Sequence, residues 1–261
     1  MELKGSTILI TGGTSGIGLE FVKQLSQKGL ANIIITGRDF DKLEKVKKQF
    51  PHVHIFQSDV SKPGAIEELF KEVTQQFPHL NIIVNNAGIM RNLDLQDTLM
   101  DLENINREIV TNLSGPIWMI HQFLPHLKKQ KSAAIVNVSS GLAFVPFPLS
   151  PVYSATKAGI HSYTQVLRLQ LKKTNIKVFE LAPPATETPL GDDFKGLVDS
   201  KQNMKVEEMV KIAIDGLLKN KLEIKPGLSK VLKLMSRLAP DFILNVLDKS
   251  IEKAKLKLTE K

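Results

Sequence analysis

Six short runs rich in isoleucine and valine alternate with longer stretches of helical periodicity along this chain. The runs are Thr7–Thr11, Asn32–Thr36, Val53–Gln57, Ile82–Asn85, Ala133–Val138 and Ile176–Leu181, with a weaker seventh at Leu222–Ile224. Apolar runs this short and continuous read as strands buried on both faces, a property of parallel sheets. Helical patterns lie between them, at Gly16–Lys28, Phe40–Phe50, Pro63–Phe77, Leu99–Lys128, Val152–Lys173 and Val206–Leu218. They supply the crossovers that parallel strands require. The alternation therefore predicts an α/β protein: an open, doubly wound parallel sheet of about seven strands with helices on both faces. Ligands of such sheets sit beyond the carboxyl ends of the strands. A chain of 261 residues accommodates one such domain, assigned to 1–227, and a helical extension over 228–261 that packs on the same domain or at an oligomer interface.

The first run ends in Thr11-Gly12-Gly13-Thr14-Ser15-Gly16-Ile17-Gly18, and a helical pattern follows at once. Glycines at 12, 16 and 18 permit a sharp turn and let a pyrophosphate approach the helix N-terminus, where N–H groups and the helix dipole favour an anion. Between a first strand and an amphipathic helix, this is a dinucleotide signature. Its spacing, Gly-x3-Gly-x-Gly, resembles the nucleotide turn of the short-chain dehydrogenase/reductase family in its short, single-domain branch. The resemblance implies a Rossmann-like fold and hydride transfer to or from a nicotinamide.

The second run ends Ile35-Thr36-Gly37-Arg38-Asp39. An NAD enzyme places an acidic residue on the ribose here, whereas the position aligned by the strand end is Gly37, followed by Arg38. A guanidinium clamps a 2′-phosphate, so the reading favours NADP(H) over NAD(H). Asp39 keeps the alternative open, in which it faces the ribose and Arg38 stacks on adenine.

The fifth run ends in Ser139-Ser140. Tyr153 follows thirteen residues after Ser140, and Lys157 four beyond that, one helical turn along the same face. Reducing a ketone by hydride leaves an alkoxide that needs a proton, and oxidising an alcohol needs that proton removed. Tyrosine, with a free pKa near ~10, is a poor base until a neighbouring ammonium and the oxidised nicotinamide favour phenolate. Lys157 supplies the first effect and has N–H groups left for the nicotinamide ribose. Ser140 fixes the reacting oxygen by a hydrogen bond. Asn112, in Val110-Thr111-Asn112-Leu113-Ser114-Gly115, stands midway along a helical pattern that asparagine and glycine weaken.

The family resemblance extends over about Glu2 to Gly227 and implies further roles. Asn112 would hold a water in a proton relay to the lysine, completing a set with Ser140, Tyr153 and Lys157. Asp59-Val60 resembles the pair that contacts adenine. Asn86, Ala87 and Gly88 would line the cofactor. After the sixth run, Pro183, Thr186 and Thr188 would cover the carboxamide side of the nicotinamide, although Pro184 replaces the usual glycine. Together with Lys225-Pro226-Gly227-Leu228-Ser229, this Ala-Pro-Pro variant looks like the DltE-type subgroup. That subgroup is named by association with D-alanylation of teichoic acids, a process with no obvious redox step. The family also implies a homodimer or homotetramer, through the Leu99–Lys128 and Val152–Lys173 helices.

The absence of cysteine excludes disulfides and thiolate chemistry and fits a reducing compartment. The Thr7–Ile10 run is too short for a signal peptide core, and no stretch approaches the ~20 apolar residues of a membrane span. These features predict a cytoplasmic protein. Formal charge is +8, of which ten Lys/Arg against five Asp/Glu beyond residue 220 supply five. A solvated basic face is the first explanation of that tail, with no nucleic-acid partner predicted and peripheral membrane contact secondary. Leu228, Val231, Leu232, Met235 and Leu238, then Phe242, Ile243, Val246 and Leu247, form two apolar stripes expected to pack on the domain or on a second subunit. No carboxylate stands at ligand spacing from any of the six histidines, so no metal site is predicted. The apolar stretch Gly141–Val152 suggests a hydrophobic wall for a partly apolar carbonyl or alcohol substrate, or packing against the C-terminal helices. Gly191–Lys205 reads as a mobile lid. Two functions remain: an active oxidoreductase with Tyr153 as acid/base, or a catalytically silent dinucleotide-binding protein with a regulatory or membrane-peripheral scaffolding role. The Tyr153–Lys157 pair argues for the first.

Overall fold

The computed structural model describes residues 2–97, 101–198 and 203–259, with side chains as far as 254. Seven parallel strands form one sheet in the order β3-β2-β1-β4-β5-β6-β7. They are β1 (Thr7–Thr11), β2 (Asn32–Gly37), β3 (Val53–Gln57), β4 (Leu80–Asn85), β5 (Ala133–Val138), β6 (Ile176–Leu181) and β7 (Glu223–Ile224). Strand order reverses between β1 and β4, which opens a crevice at their carboxyl ends.

Alternation along each strand divides the core in two. Ile8, Ile10, Ile33, Ile35, Ile82 and Val84 pack under α1 (Gly16–Leu25), α2 (Phe40–Gln49) and α7 (Val206–Leu218). Leu9, Ile34, Ile83 and Ile135 face the opposite way, under α3 (Pro63–Gln76), α5 (Gly115–Lys129) and α6 (Pro151–Gln170). Neither side of the sheet meets water, which explains why the strands read as continuous apolar runs rather than alternating ones.

The pattern expected as one helix over Leu99–Lys128 is interrupted; Leu99 itself lies outside the described residues. It comprises α4 (Leu102–Ile109), a π turn at Val110–Ser114, and α5. Pro116 has no N–H to donate to the Asn112 carbonyl, so the α-helical ladder cannot run through this point. The Gly115 N–H instead reaches back to the Val110 carbonyl, and a Cβ on Gly115 would lie 2.6 Å from the Val60 carbonyl oxygen.

The chain ends in α8 (Leu228–Leu238) and α9 (Pro240–Thr259). Of the two stripes, only part packs on the domain of this chain. Leu232 is buried, but Leu228, Val231, Leu238, Phe242 and Val246 are exposed. The inward surface is a different one: Ser229 and Leu232 meet Gly141, and Ile251 joins Leu149 and Phe194 in a small apolar cluster. Within the Gly191–Lys205 segment, Pro189–Phe194 forms a 3-10 turn ending in buried Phe194, and residues 199–202 lie outside the described region. Among the described residues no helix is long and apolar enough to cross a membrane.

Candidate active site

The glycine turn joins β1 to α1 at the crevice. Gly12 and Gly16 have φ of 67° and 51°, a region that L side chains resist. Gly18 is required for space instead: a Cβ there would sit 2.2 Å from the Gly12 carbonyl oxygen. Ser15 occupies the N-cap of α1, yet its side chain makes no capping bond and the first turn carries no acid. The helix therefore keeps its N-terminal N–H groups and positive end available to an anion. Ile17 packs partly into the core beneath, and Thr14 lies against Gly37.

Two other segments close on this turn. The Asn86 side chain donates to the carbonyls of Thr11 (2.9 Å) and Gly12 (3.1 Å). The backbone N–H groups of Asn86 and Ala87 donate to Thr11 Oγ1, each at 3.0 Å. Thr188 approaches from the other side, 3.3 Å from where a Gly16 Cβ would be. Thr186 donates to the Pro184 carbonyl at 2.9 Å, and the Pro183 carbonyl accepts from the Gly141 N–H at 2.7 Å, which ties this segment to the residue after Ser140. Asp59 lies two residues beyond β3 and accepts from the Ser61 N–H and hydroxyl, next to buried Val60.

Arg38 and Asp39 meet different fates. Asp39 caps α2, accepting from the Lys42 N–H at 3.1 Å with the Lys42 ammonium 3.6 Å away. That backbone hydrogen bond, reinforced by the Lys42 charge, holds its carboxyl below the usual range. Arg38 is exposed, and its backbone carbonyl accepts from Gln57.

Ser140, Tyr153, Lys157 and Asn112 come together, all buried, at the carboxyl ends of β4 and β5. Lys157 donates to the Val138 carbonyl at 2.9 Å and stands 5.5 Å from the centre of the Tyr153 ring. Burial pushes the Tyr153 hydroxyl up to about 12; a hydrogen bond with Ser140 opposes that rise, and the Glu108 charge adds to it. Burial also pulls the Lys157 ammonium down to about 8. The Asn112 amide pairs with both backbone groups of Ile89, accepting at 2.9 Å and donating at 2.8 Å. Between them lies Gly88, where a Cβ would sit 3.2 Å from Asn112 Oδ1 and 3.7 Å from Lys157 Nζ. A phenol, a hydroxyl and an ammonium are thus buried together beside the glycine turn.

The family model for short chain dehydrogenases matches residues 6–196. The chain belongs to the short-chain dehydrogenase family. Among curated relatives, an uncharacterized oxidoreductase of Bacillus subtilis, DltE, is 41% identical over 227 residues, 86% of this chain and 89% of that one. A short chain dehydrogenase from Burkholderia cenocepacia, solved with NADP, superposes with a TM-score of 0.82 at 22% identity, covering 95% of this chain and 99% of that one. A 3-ketoacyl-(acyl-carrier-protein) reductase from Brucella melitensis, complexed with NADH, gives 0.76 at 26% identity over 87% and 99%. This short-chain dehydrogenase is accordingly an oxidoreductase.

Several residues of the dehydrogenase site escaped the sequence reading. Thr11 pins the β4 loop to the glycine turn through partners some 75 residues away. Glu108, fully buried one turn before Asn112, accepts from the Arg91 N–H at 2.9 Å, with the Arg91 guanidinium 3.5 Å from its other oxygen. Burial raises its carboxyl above the ordinary value against the pull of Arg91. Ser139 donates to buried Glu180 at 2.6 Å, and His161 Nδ1 lies 2.8 Å from the same carboxylate. Spacing along the chain did not reveal that Glu180 and Glu223 bring carboxylate oxygens within 4.8 Å of one another and of the His161 ring. Lys225 and Lys233 already bind Glu223, so the cluster is a closed ionic network.

Proposed function

We propose that this dehydrogenase uses NADP(H) to pass hydride between the nicotinamide and the carbon of a partly apolar carbonyl or alcohol substrate, with Tyr153 as acid and base. The observation that carries the reading is the buried Ser140–Tyr153–Lys157 group standing beside an uncapped, glycine-lined helix N-terminus. The turn at Gly12, Gly16 and Gly18 fits a pyrophosphate, since side chains there would fill the space. Thr14, Ser15, Ile17, Asp59, Val60, Asn86, Ala87 and Gly88 would line the rest of the dinucleotide, and Pro183, Thr186 and Thr188 the carboxamide end.

When bound, the cofactor supplies or accepts the hydride. The protein's own groups manage the oxygen. Ser140 orients it by a hydrogen bond. In reduction the Tyr153 hydroxyl gives its proton to the developing alkoxide, and in oxidation the phenolate takes it back. Lys157, once charged, favours the phenolate. Asn112 holds the Ile89 backbone and so shapes the floor beneath Gly88.

The choice of NADP(H) rests on Arg38 and Asp39. Asp39 spends its carboxylate on the cap of α2, while among the described residues nothing pairs with the Arg38 guanidinium, which suits a 2′-phosphate. An apolar substrate wall is supplied by Met90, Phe147, Leu149, Phe194 and Leu197. On α6, Val166 and Leu169 remain exposed and fit a face that pairs with a second copy.

Titration with NADPH and with NADH, followed by nicotinamide fluorescence, tests the assignment. NADPH should bind tighter to the wild type, and Arg38→Ala should abolish that preference. Equal or better NADH binding, untouched in Arg38→Ala, would overturn it. A screen of ketones and aldehydes with NADPH should then find turnover that Tyr153→Phe removes.

A further inference from the structure

The last two described helices carry a surface that the hydride-transfer reading leaves unused. On α8, Leu228, Val231, Leu234 and Leu238 follow one another at helical spacing, and all face solvent, Leu238 with 72% of its surface exposed. Lys230 and Arg237 border that stripe, and α8 contains no acidic residue. On α9, Phe242 (62% exposed) and Val246 share a face with Lys249 and Lys253. Asp241, Asp248 and Glu252, seven and four residues apart, fall on a different side of the same helix. Both helices therefore place apolar side chains and cations together, with the acids turned elsewhere.

This outward surface is not needed to hold the helices on. Their inward side does that: Ser229 and Leu232 touch Gly141, the Lys233 ammonium lies 5.2 Å from the centre of the Phe144 ring, and Ile251 packs against Leu149 and Phe194. Lys225 and Lys233 both pair with Glu223. Among the described residues, Lys230, Arg237, Lys249 and Lys253 have no carboxylate partner.

We propose that α8 and α9 form a docking surface for an anionic lipid bilayer, with Leu228, Val231, Leu234, Leu238, Phe242 and Val246 entering the headgroup–acyl boundary and the four cations meeting lipid phosphates. Apolar side chains flanked by lysine and arginine on an amphipathic helix are the physical requirements for interfacial binding. A second copy of this chain is the poorer occupant. A two-fold interface presents the same patch to itself and would bring two patches of like positive charge together, whereas anionic lipid neutralises them.

Sedimentation of the full chain with phosphatidylcholine vesicles, with and without phosphatidylglycerol, tests the proposal. The wild type should pellet with the anionic vesicles and be released by salt. Leu234→Glu with Leu238→Glu should weaken that binding by about tenfold or more, and Lys249→Glu with Lys253→Glu should do likewise. Phe242→Glu with Val246→Glu repeats the test on α9, so that the result does not hang on how α8 tolerates substitution. Cofactor binding and thermal melting should stay at wild-type values in the variants, since the altered side chains face solvent. Wild-type protein that stays in the supernatant, or binds neutral and anionic vesicles alike, overturns the proposal. So does a dimer in light scattering that Leu234→Glu with Leu238→Glu dissociates, which would give the surface to a second copy.

Discussion

The two halves of the crevice are built from opposite materials. The half proposed for the cofactor is mostly backbone: glycines at positive φ or under a neighbouring carbonyl, an uncapped helix end, and the Asn86 and Thr11 side chains that staple one loop to another. The half proposed for proton transfer is side chains out of water, with Tyr153 and Lys157 moved away from their ordinary protonation behaviour. Damage to the first half should therefore be steric and should take binding and stability with it. Damage to the second should be chemical and leave the fold intact.

Tyr153→Phe breaks the comparison most sharply. It should lower kcat by about 10²–10⁴-fold while NADPH fluorescence titrations remain near wild type; a comparable loss of binding would show that the halves are not separable. Gly18→Ala is the steric counterpart. Its Cβ cannot coexist with the Gly12 carbonyl, so the turn must shift, costing about 1–3 kcal/mol of stability and weakening NADPH and NADH together. Denaturant unfolding and fluorescence would read both effects.

Lys157 gives a smaller, pH-dependent effect. Its folded pKa of about 8 lies below the ordinary 10.5. The unfolded chain thus binds more protons in that window, and wild-type stability should rise with pH from 8 toward 10.5. Above pH 10 the Tyr153 hydroxyl, held up to about 12, works the other way, since its contribution is lost as pH climbs from 10 toward 12. Lys157→Met should flatten the rise between 8 and 10, and a rise that persists unchanged would refute the neutral lysine. The smallest effect belongs to Glu108→Gln. Removing a charge that raises the Tyr153 pKa should move the alkaline limb of the kcat/KM profile to lower pH, without the collapse seen in Tyr153→Phe.

The same contrast explains what the sequence made legible. The glycine turn and the Tyr153–Lys157 pair are local spacings, and local spacing survives in one dimension. The strand–helix alternation was readable for the same reason. Thr11, Glu108 with Arg91, and Ser139–Glu180–His161 act through partners 17 to 76 residues away, which no periodicity reveals. The break at Val110–Ser114 had a local signal in Gly115-Pro116, but the helical pattern on either side concealed it. The stripes of α8 and α9 were legible as stripes. Which of their residues meet the protein was not, because a hydrophobic pattern specifies a face and leaves its partner open.

The Lys157 ammonium, hydrogen-bonded to the Val138 carbonyl and half-titrated near pH 8, has a thermodynamic corollary. Any anion that settles beside it raises its affinity for hydrogen ions, so an anionic ligand that reaches it at mildly alkaline pH must draw protons from the buffer. Calorimetric binding enthalpies would then differ between buffers of unlike ionisation heat, and the slope of that dependence would count the protons taken up.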